Sequence, residues 1–123
     1  QKKYKLSIKN FSRLILQKDF LNLSPQFQLK ILTSEIIVRY ELKQLDLVEE
    51  KIKKIKSRLK NTTDENKREK DVIKIIEKLI YCNNIKSDKD LYAKINKLIT
   101  ETSLENAQNL DVINYNDWLI DKI

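Results

Sequence analysis

Residues 24–60 decide the fold, and their sequence is SPQFQLKILTSEIIVRYELKQLDLVEEKIKKIKSRLK. Ser24 and Pro25 indicate the start of a helix, because a serine hydroxyl caps the first amides and proline is tolerated at the first helical position. No Gly and no second Pro occurs in this stretch. We therefore predict one unbroken central helix over residues 25–60, which at ~1.5 Å per residue spans roughly 54 Å.

The two halves of this predicted helix differ in their apolar pattern. The first half carries apolar residues on two faces, among them Leu29 and Ile36, and is expected to be buried on both sides. The second half carries one narrow stripe with spacings of three and four residues, as at the a and d positions of a coiled coil. This heptad stripe consists of Leu45, Val48, Ile52, Ile55 and Leu59.

A helical hairpin is predicted from the residues after the heptad stripe. Residues 61–66 are polar and indicate a turn, and residues 64–82 place Val72, Ile76 and Leu79 on one helical face. Two apolar faces joined by a short turn are typical of an antiparallel helical hairpin. We expect the helix over residues 25–60 to pair in this way with the helix over residues 64–82.

The remaining residues also favour helices. Apolar spacing predicts helices over residues 3–22 and 88–101, and a short terminal helix that docks Trp118. Alternation of apolar and polar residues from Tyr4 to Ile8 leaves a short strand as the alternative there. The sequence has no Gly, which argues against tight two-residue hairpins between strands. The predicted fold class is therefore all-α, a bundle of four to five helices.

The length bounds the domain organisation. A chain of 123 residues is expected to form a single helical domain over residues 1–123. Because it begins with Gln1 and not with Met, we expect a processed form or a fragment of a longer protein. No apolar run approaches the roughly 18 residues of a membrane span, so no span is predicted.

The composition excludes most enzyme chemistry. The sequence has no His, which removes the usual general base and the commonest metal ligand. The absence of Gly removes the phosphate-binding loop and the dinucleotide fingerprint. We expect no catalytic residue, no cofactor and no metal site. The single cysteine, Cys82, is interpreted as a core residue, with a reactive thiol or an intermolecular disulfide bridge as the alternatives.

The net charge of +7 is concentrated in one dense basic run. The run has three interpretations: lysine stems that cover the hairpin, a surface that contacts nucleic-acid phosphates, and a basic amphipathic helix on a membrane. The first is favoured, because arginine is rare, aromatic residues are not interleaved with the run, and Lys, Ile and Asn are what an A+T-rich genome encodes. The basic run consists of Lys51, Lys53, Lys54, Lys56, Arg58 and Lys60.

These observations predict a non-enzymatic helical module for protein–protein interaction or assembly. Its partner would be another protein or a second copy of the chain. The heptad stripe would form the interface, together with Trp118, since tryptophan is enriched among interface hot spots. The alternative function is a nucleic-acid-binding module that uses the basic run. A small inhibitor or immunity protein fits the size and the charge equally well, but no residue supports it.

Overall fold

The computed structural model describes residues 2–60, 66–82, 88–105 and 115–122. These ranges contain six α-helices and one 3-10 helix, and they contain no strand, so the predicted all-α fold class is confirmed. The N-terminal strand alternative is wrong, because those residues lie in the first helix. The helices are α1 (Lys2–Leu16), the 3-10 helix (Lys18–Asn22), α2 (Pro25–Glu41), α3 (Leu45–Leu59), α4 (Lys67–Ile80), α5 (Lys89–Glu105) and α6 (Tyr115–Lys122).

The prediction of one unbroken helix over residues 25–60 is wrong, which is why the helix count exceeds four to five. Helix α2 ends at Glu41 and α3 begins at Leu45. Between them Lys43 has a φ of 61°, in the left-handed region that glycine normally occupies at a helix end. The amides of Lys43 and Gln44 donate to the carbonyls of Tyr40 and Arg39, both at 3.0 Å. These bonds close a Schellman-type cap, which ends the helix.

The break between α2 and α3 brings most of the heptad stripe of α3 into the same core as α2. Ile36 and Ile37 of α2 belong to the larger apolar core, to which α3 also contributes. Ile31 and Val38, on the other side of α2, belong to a smaller core with α1 and the 3-10 helix. A straight helix over residues 25–60 would carry its second half away from both cores. The break lets α3 pack beside α2. The predicted burial of α2 on two sides is confirmed by its residues in both cores.

Helices α3 and α4 are in contact, although not as the predicted hairpin with one long helix. Lys56 of α3 forms an ion pair with Glu77 of α4. The Tyr81 hydroxyl, directly after α4, donates to Glu49 near the start of α3 at 3.0 Å. Most of the predicted turn at residues 61–66 lies outside the described residues. The larger core joins this pair of helices to α2, α5 and α6, so the pair does not project from the domain.

Lys43 gives a direct test of the break between α2 and α3. Lys43→Gly is expected to raise the free energy of unfolding by about 0.5–1 kcal/mol, because glycine adopts positive φ without strain. Lys53→Gly, in the middle of α3, is the matched control and is expected to lower it by about 1 kcal/mol. Urea unfolding followed by circular dichroism measures both. If Lys43→Gly destabilised the protein as much as Lys53→Gly does, residues 25–60 would form one helix.

Candidate functional site

The residues predicted as a protein interface lie mostly inside the domain. Four members of the heptad stripe are at most 4% exposed and belong to the larger core, and only Leu45 reaches the surface, at 38%. Trp118 is 6% exposed and belongs to the same core. Because these side chains already contact other parts of the chain, the stripe presents no continuous surface to a partner. An interface with a partner protein would therefore have to use other residues.

Two side chains of the basic run are bound by α2. Lys51 Nζ lies 3.1 Å from Glu35 Oε1. Arg58 Nη2 donates to Gln28 Oε1 at 2.9 Å. Glu35 and Gln28 are both buried, so their polar atoms depend on partners within the chain instead of water. These two cations therefore hold α3 against α2.

Much of the rest of the basic run is neutralised as well. Two more lysines form ion pairs, Lys54 with Glu50 and Lys56 with Glu77. Lys53 and Lys60 are exposed, and neither forms an ion pair within the described residues. Most of the run therefore has partners within the domain, which supports the structural interpretation over the nucleic-acid one. A phosphate would have to compete with carboxylates already in place.

A second basic surface, which the sequence analysis did not identify, lies between α4 and α5. Five lysines line two neighbouring cavities of about 260 Å³ and about 530 Å³, and Lys74 and Lys94 line both. None of the five forms an ion pair within the part of the chain that the structure describes. We call this surface the lysine groove, and it consists of Lys67, Lys74 and Lys78 of α4 with Lys94 and Lys97 of α5.

The pKa of Lys94 reports the crowding of positive charge in the lysine groove. A hydrogen bond with Lys78 and repulsion from its charge lower the pKa of Lys94, and Lys74 adds to the effect while Asp90 opposes it. Since the pKa in the folded chain is below that of the unfolded chain, repulsion opposes folding at neutral pH and disappears as the pH rises through the pKa of Lys94. A bound anion would relieve the same repulsion and raise this pKa again.

Helical spacing explains how the lysine groove arises from the sequence. Lys67, Lys74 and Lys78 are separated by seven and four residues, so they share one face of α4. Lys94 and Lys97 are three residues apart and share one face of α5. This signal was present in the sequence. The sequence analysis missed it because it gave more weight to consecutive basic residues than to basic residues that recur on one helical face.

An aromatic side chain lies at one end of the lysine groove. Tyr81 is 78% exposed and lines the larger cavity together with Lys74, Lys78 and Lys94. Its hydroxyl donates to the Glu49 carboxylate, and this hydrogen bond, followed by the negative charge of Glu49, raises the pKa of Tyr81. The hydrogen bond fixes one edge of the ring, while most of its surface stays in contact with solvent.

The described residues show neither a group of metal ligands nor a helix that could cross a membrane. Among the described residues, no group of three or more Asp, Glu or Cys side chains is arranged to hold a metal ion. No helix within the described ranges combines the length and the apolar character that crossing a membrane requires.

Comparisons with protein-family models, with curated proteins and with solved structures find no match to this chain.

Proposed function

We propose that the protein is a non-enzymatic nucleic-acid-binding module and that the lysine groove contacts the phosphates. The observation that carries this proposal is the convergence of five lysines on one groove without an ion pair for any of them among the described residues. Binding of phosphates would replace mutual repulsion by attraction and would release the counterions condensed on the nucleic acid. The alternative function predicted from the sequence is thereby kept, with a different surface.

The dimensions of the lysine groove suit a nucleic-acid backbone. Lys67 and Lys78 are eleven positions apart on α4, a distance of roughly 16 Å along the helix axis. One strand of a nucleic acid carries a phosphate about every 3.4 Å along a duplex, so the groove faces on the order of five phosphates. Lysine contacts phosphate as a point charge and does not read bases as arginine does. The expected binding therefore depends little on base sequence.

The interaction function predicted from the sequence, with another protein or a second copy as partner, stays a prediction. Its supporting residues were the heptad stripe and Trp118, and most of these are buried in the core of the chain. The lysine groove, in contrast, is open to solvent. We therefore place the nucleic-acid function first.

Matched charge reversals test the proposed function. Lys74→Glu/Lys94→Glu changes the lysine groove, and Lys53→Glu/Lys60→Glu changes the two exposed lysines of the basic run by the same amount of charge. We expect the first variant to weaken binding strongly and to make the slope of log affinity against log salt shallower by about two. The second variant is expected to stay close to the wild type. Fluorescence anisotropy with labelled oligonucleotides, titrated between about 50 and 200 mM salt, measures both quantities.

Two results would contradict the proposal. Equal losses in the two variants would mean that only the net charge of the protein matters. A larger loss in Lys53→Glu/Lys60→Glu would place the nucleic acid on the basic run. Circular dichroism checks that both variants keep their helices, which is expected because all four positions are exposed.

A further inference from the structure

We infer that the lysine groove binds single-stranded nucleic acid, with one base stacked on the exposed ring of Tyr81. This inference rests on the proposed function and adds the class of nucleic acid to it. Tyr81 and three lysines of the groove line one cavity of about 530 Å³. A basic surface beside an exposed aromatic ring is the combination by which proteins bind single strands without sequence preference.

The hydrogen bond from the Tyr81 hydroxyl restricts the motion of the ring before a base stacks on it. Glu49 belongs to α3, whose neighbours Val48 and Ile52 are buried in the core, so the acceptor of this hydrogen bond is held by a packed helix. The ring therefore loses part of its rotational freedom before any ligand binds. Stacking on a restrained ring costs less conformational entropy than stacking on a free one. The large exposed area of Tyr81 remains available to a base.

Charges of both signs lie around Tyr81 at this end of the groove. Three carboxylates lie near the ring, those of Glu49, Glu77 and Asp88. Glu77 is paired with Lys56, and Asp88 accepts a hydrogen bond from the first turn of α5. These partners reduce the negative charge without removing it, and Lys74, Lys78 and Lys94 line the same cavity, so charges of both signs surround the ring. An uncharged base can cover the ring without repulsion from the carboxylates, while the phosphates of the same strand contact the lysines.

The exposed ring of Tyr81 selects for a single strand over a duplex. In a duplex the bases are stacked inside, and both outer edges present phosphates to the protein. A bound duplex would therefore offer no unpaired base to Tyr81, and the ring would stay uncovered. A single strand can turn one base onto Tyr81 while its phosphates follow the lysines of α4 and α5. An acidic peptide could contact the lysines too, but it supplies no planar base for the ring.

Substitutions at Tyr81 test the inference. The wild type is expected to bind an oligothymidylate more tightly than a duplex of the same length. Tyr81→Leu is expected to lower the affinity for the single strand about tenfold, with no change in duplex affinity or in the salt slope. Tyr81→Phe is expected to lose less single-strand affinity than Tyr81→Leu, because it keeps the ring that stacks and loses only the restraint from the hydrogen bond with Glu49. Tyr92→Leu is the matched control, since Tyr92 lies on α5 but lines neither cavity of the groove.

Cys82 offers a second readout that does not depend on affinity. It lines the same cavity as Tyr81 and is half-buried, with a free thiol. Bound oligothymidylate is expected to slow the reaction of this thiol with a maleimide in the wild type. The oligonucleotide is expected to give no such protection in Lys74→Glu/Lys94→Glu at the same concentration. Unchanged reactivity in the wild type at saturating oligothymidylate would place the strand elsewhere.

The outcomes separate this inference from the function on which it rests. If Tyr81→Leu binds both oligonucleotides as the wild type does, while Lys74→Glu/Lys94→Glu loses both, then the groove binds nucleic acid and the stacking role is wrong. If the lysine variant loses nothing, the proposed function itself is wrong. Tighter binding of the duplex than of the single strand by the wild type would also overturn the inference.

Discussion

Lys30→Met is expected to lower the free energy of unfolding by about 3–5 kcal/mol, because it leaves a buried carboxylate without its counter-charge. The carboxylate belongs to Glu69 of α4, whose side chain is 0% exposed. Lys30 Nζ of α2 lies 3.4 Å from Glu69 Oε2, and Asn66 donates to Glu69 Oε1 at 2.8 Å. The remaining hydrogen bond cannot compensate for the lost positive charge. Urea unfolding followed by circular dichroism measures the loss.

Two controls accompany this variant. Lys54→Met removes the lysine of an exposed ion pair with Glu50 in α3 and is expected to change stability by less than about 0.5 kcal/mol. The double variant Lys30→Met/Glu69→Leu removes both buried charges and is expected to recover most of the loss, since no unpaired ion remains. Equal effects of Lys30→Met and Lys54→Met would contradict the burial of Glu69 against Lys30.

The ion pair of Lys30 and Glu69 also shows which features of the fold were not predictable from the sequence. Its partners are 39 residues apart, and nothing local indicates that either is buried. The same holds for Glu35 of α2, which is buried beside Arg39 and Lys51. An ionised acid is buried at a tolerable cost only where a cation or another polar partner reaches it. That condition depends on how the helices pack, which periodicity and capping signals do not report.

The helices themselves were predicted where local physics decides the structure. Ser24 accepts a hydrogen bond from the Phe27 amide, and Pro25 begins α2, as its position indicated. The break at Lys43 was missed because Leu42, Lys43 and Gln44 include no Gly, Pro or Asn to mark it. Each of these residues is a good helix former, so propensity favours a continuous helix. Burial of most of the heptad stripe of α3 beside α2 outweighs that preference.

The candidate site was predictable only in part. Helical spacing alone groups the lysines of α4 on one face and those of α5 on another. That the two faces meet across one groove depends on the packing of α4 against α5, through buried residues such as Ile75 and Leu98. The position of Tyr81 beside the groove depends on its hydrogen bond with Glu49, 32 residues away. These relations appear only in the folded chain.

Truncation of Trp118 is expected to cause the second large loss of stability, because this side chain attaches α6 to the end of α2. Its Nε1 donates to Glu41 Oε1 at 2.7 Å, and its ring meets Tyr40 edge-on, with centroids 6.2 Å apart. Lys122, one turn later in α6, forms an ion pair with the same Glu41 and lies 5.8 Å from the centre of the Trp118 ring. The indole is thus buried in the core, and its N–H group is hydrogen-bonded as well.

Trp118→Ala is expected to lower the free energy of unfolding by about 3–5 kcal/mol, the range found when a buried aromatic side chain is truncated. Ile120→Ala is the matched control on the same helix. Ile120 is 53% exposed, so this variant is expected to stay within about 0.5 kcal/mol of the wild type. Urea unfolding by circular dichroism suits both variants, because it does not rely on the only tryptophan of the chain.

The comparison also decides between two roles for Trp118. An anchor for a protein partner, as predicted from the sequence, would be exposed in the isolated chain, and its truncation would cost that chain no more than Ile120→Ala does. Truncation of an anchor for α6 would cost several kcal/mol in the isolated chain, since the cavity and the lost hydrogen bond to Glu41 both arise without any partner. Equal stability of Trp118→Ala and Ile120→Ala would therefore mean that Trp118 lies at the surface. The burial of the indole against Tyr40 favours the large loss.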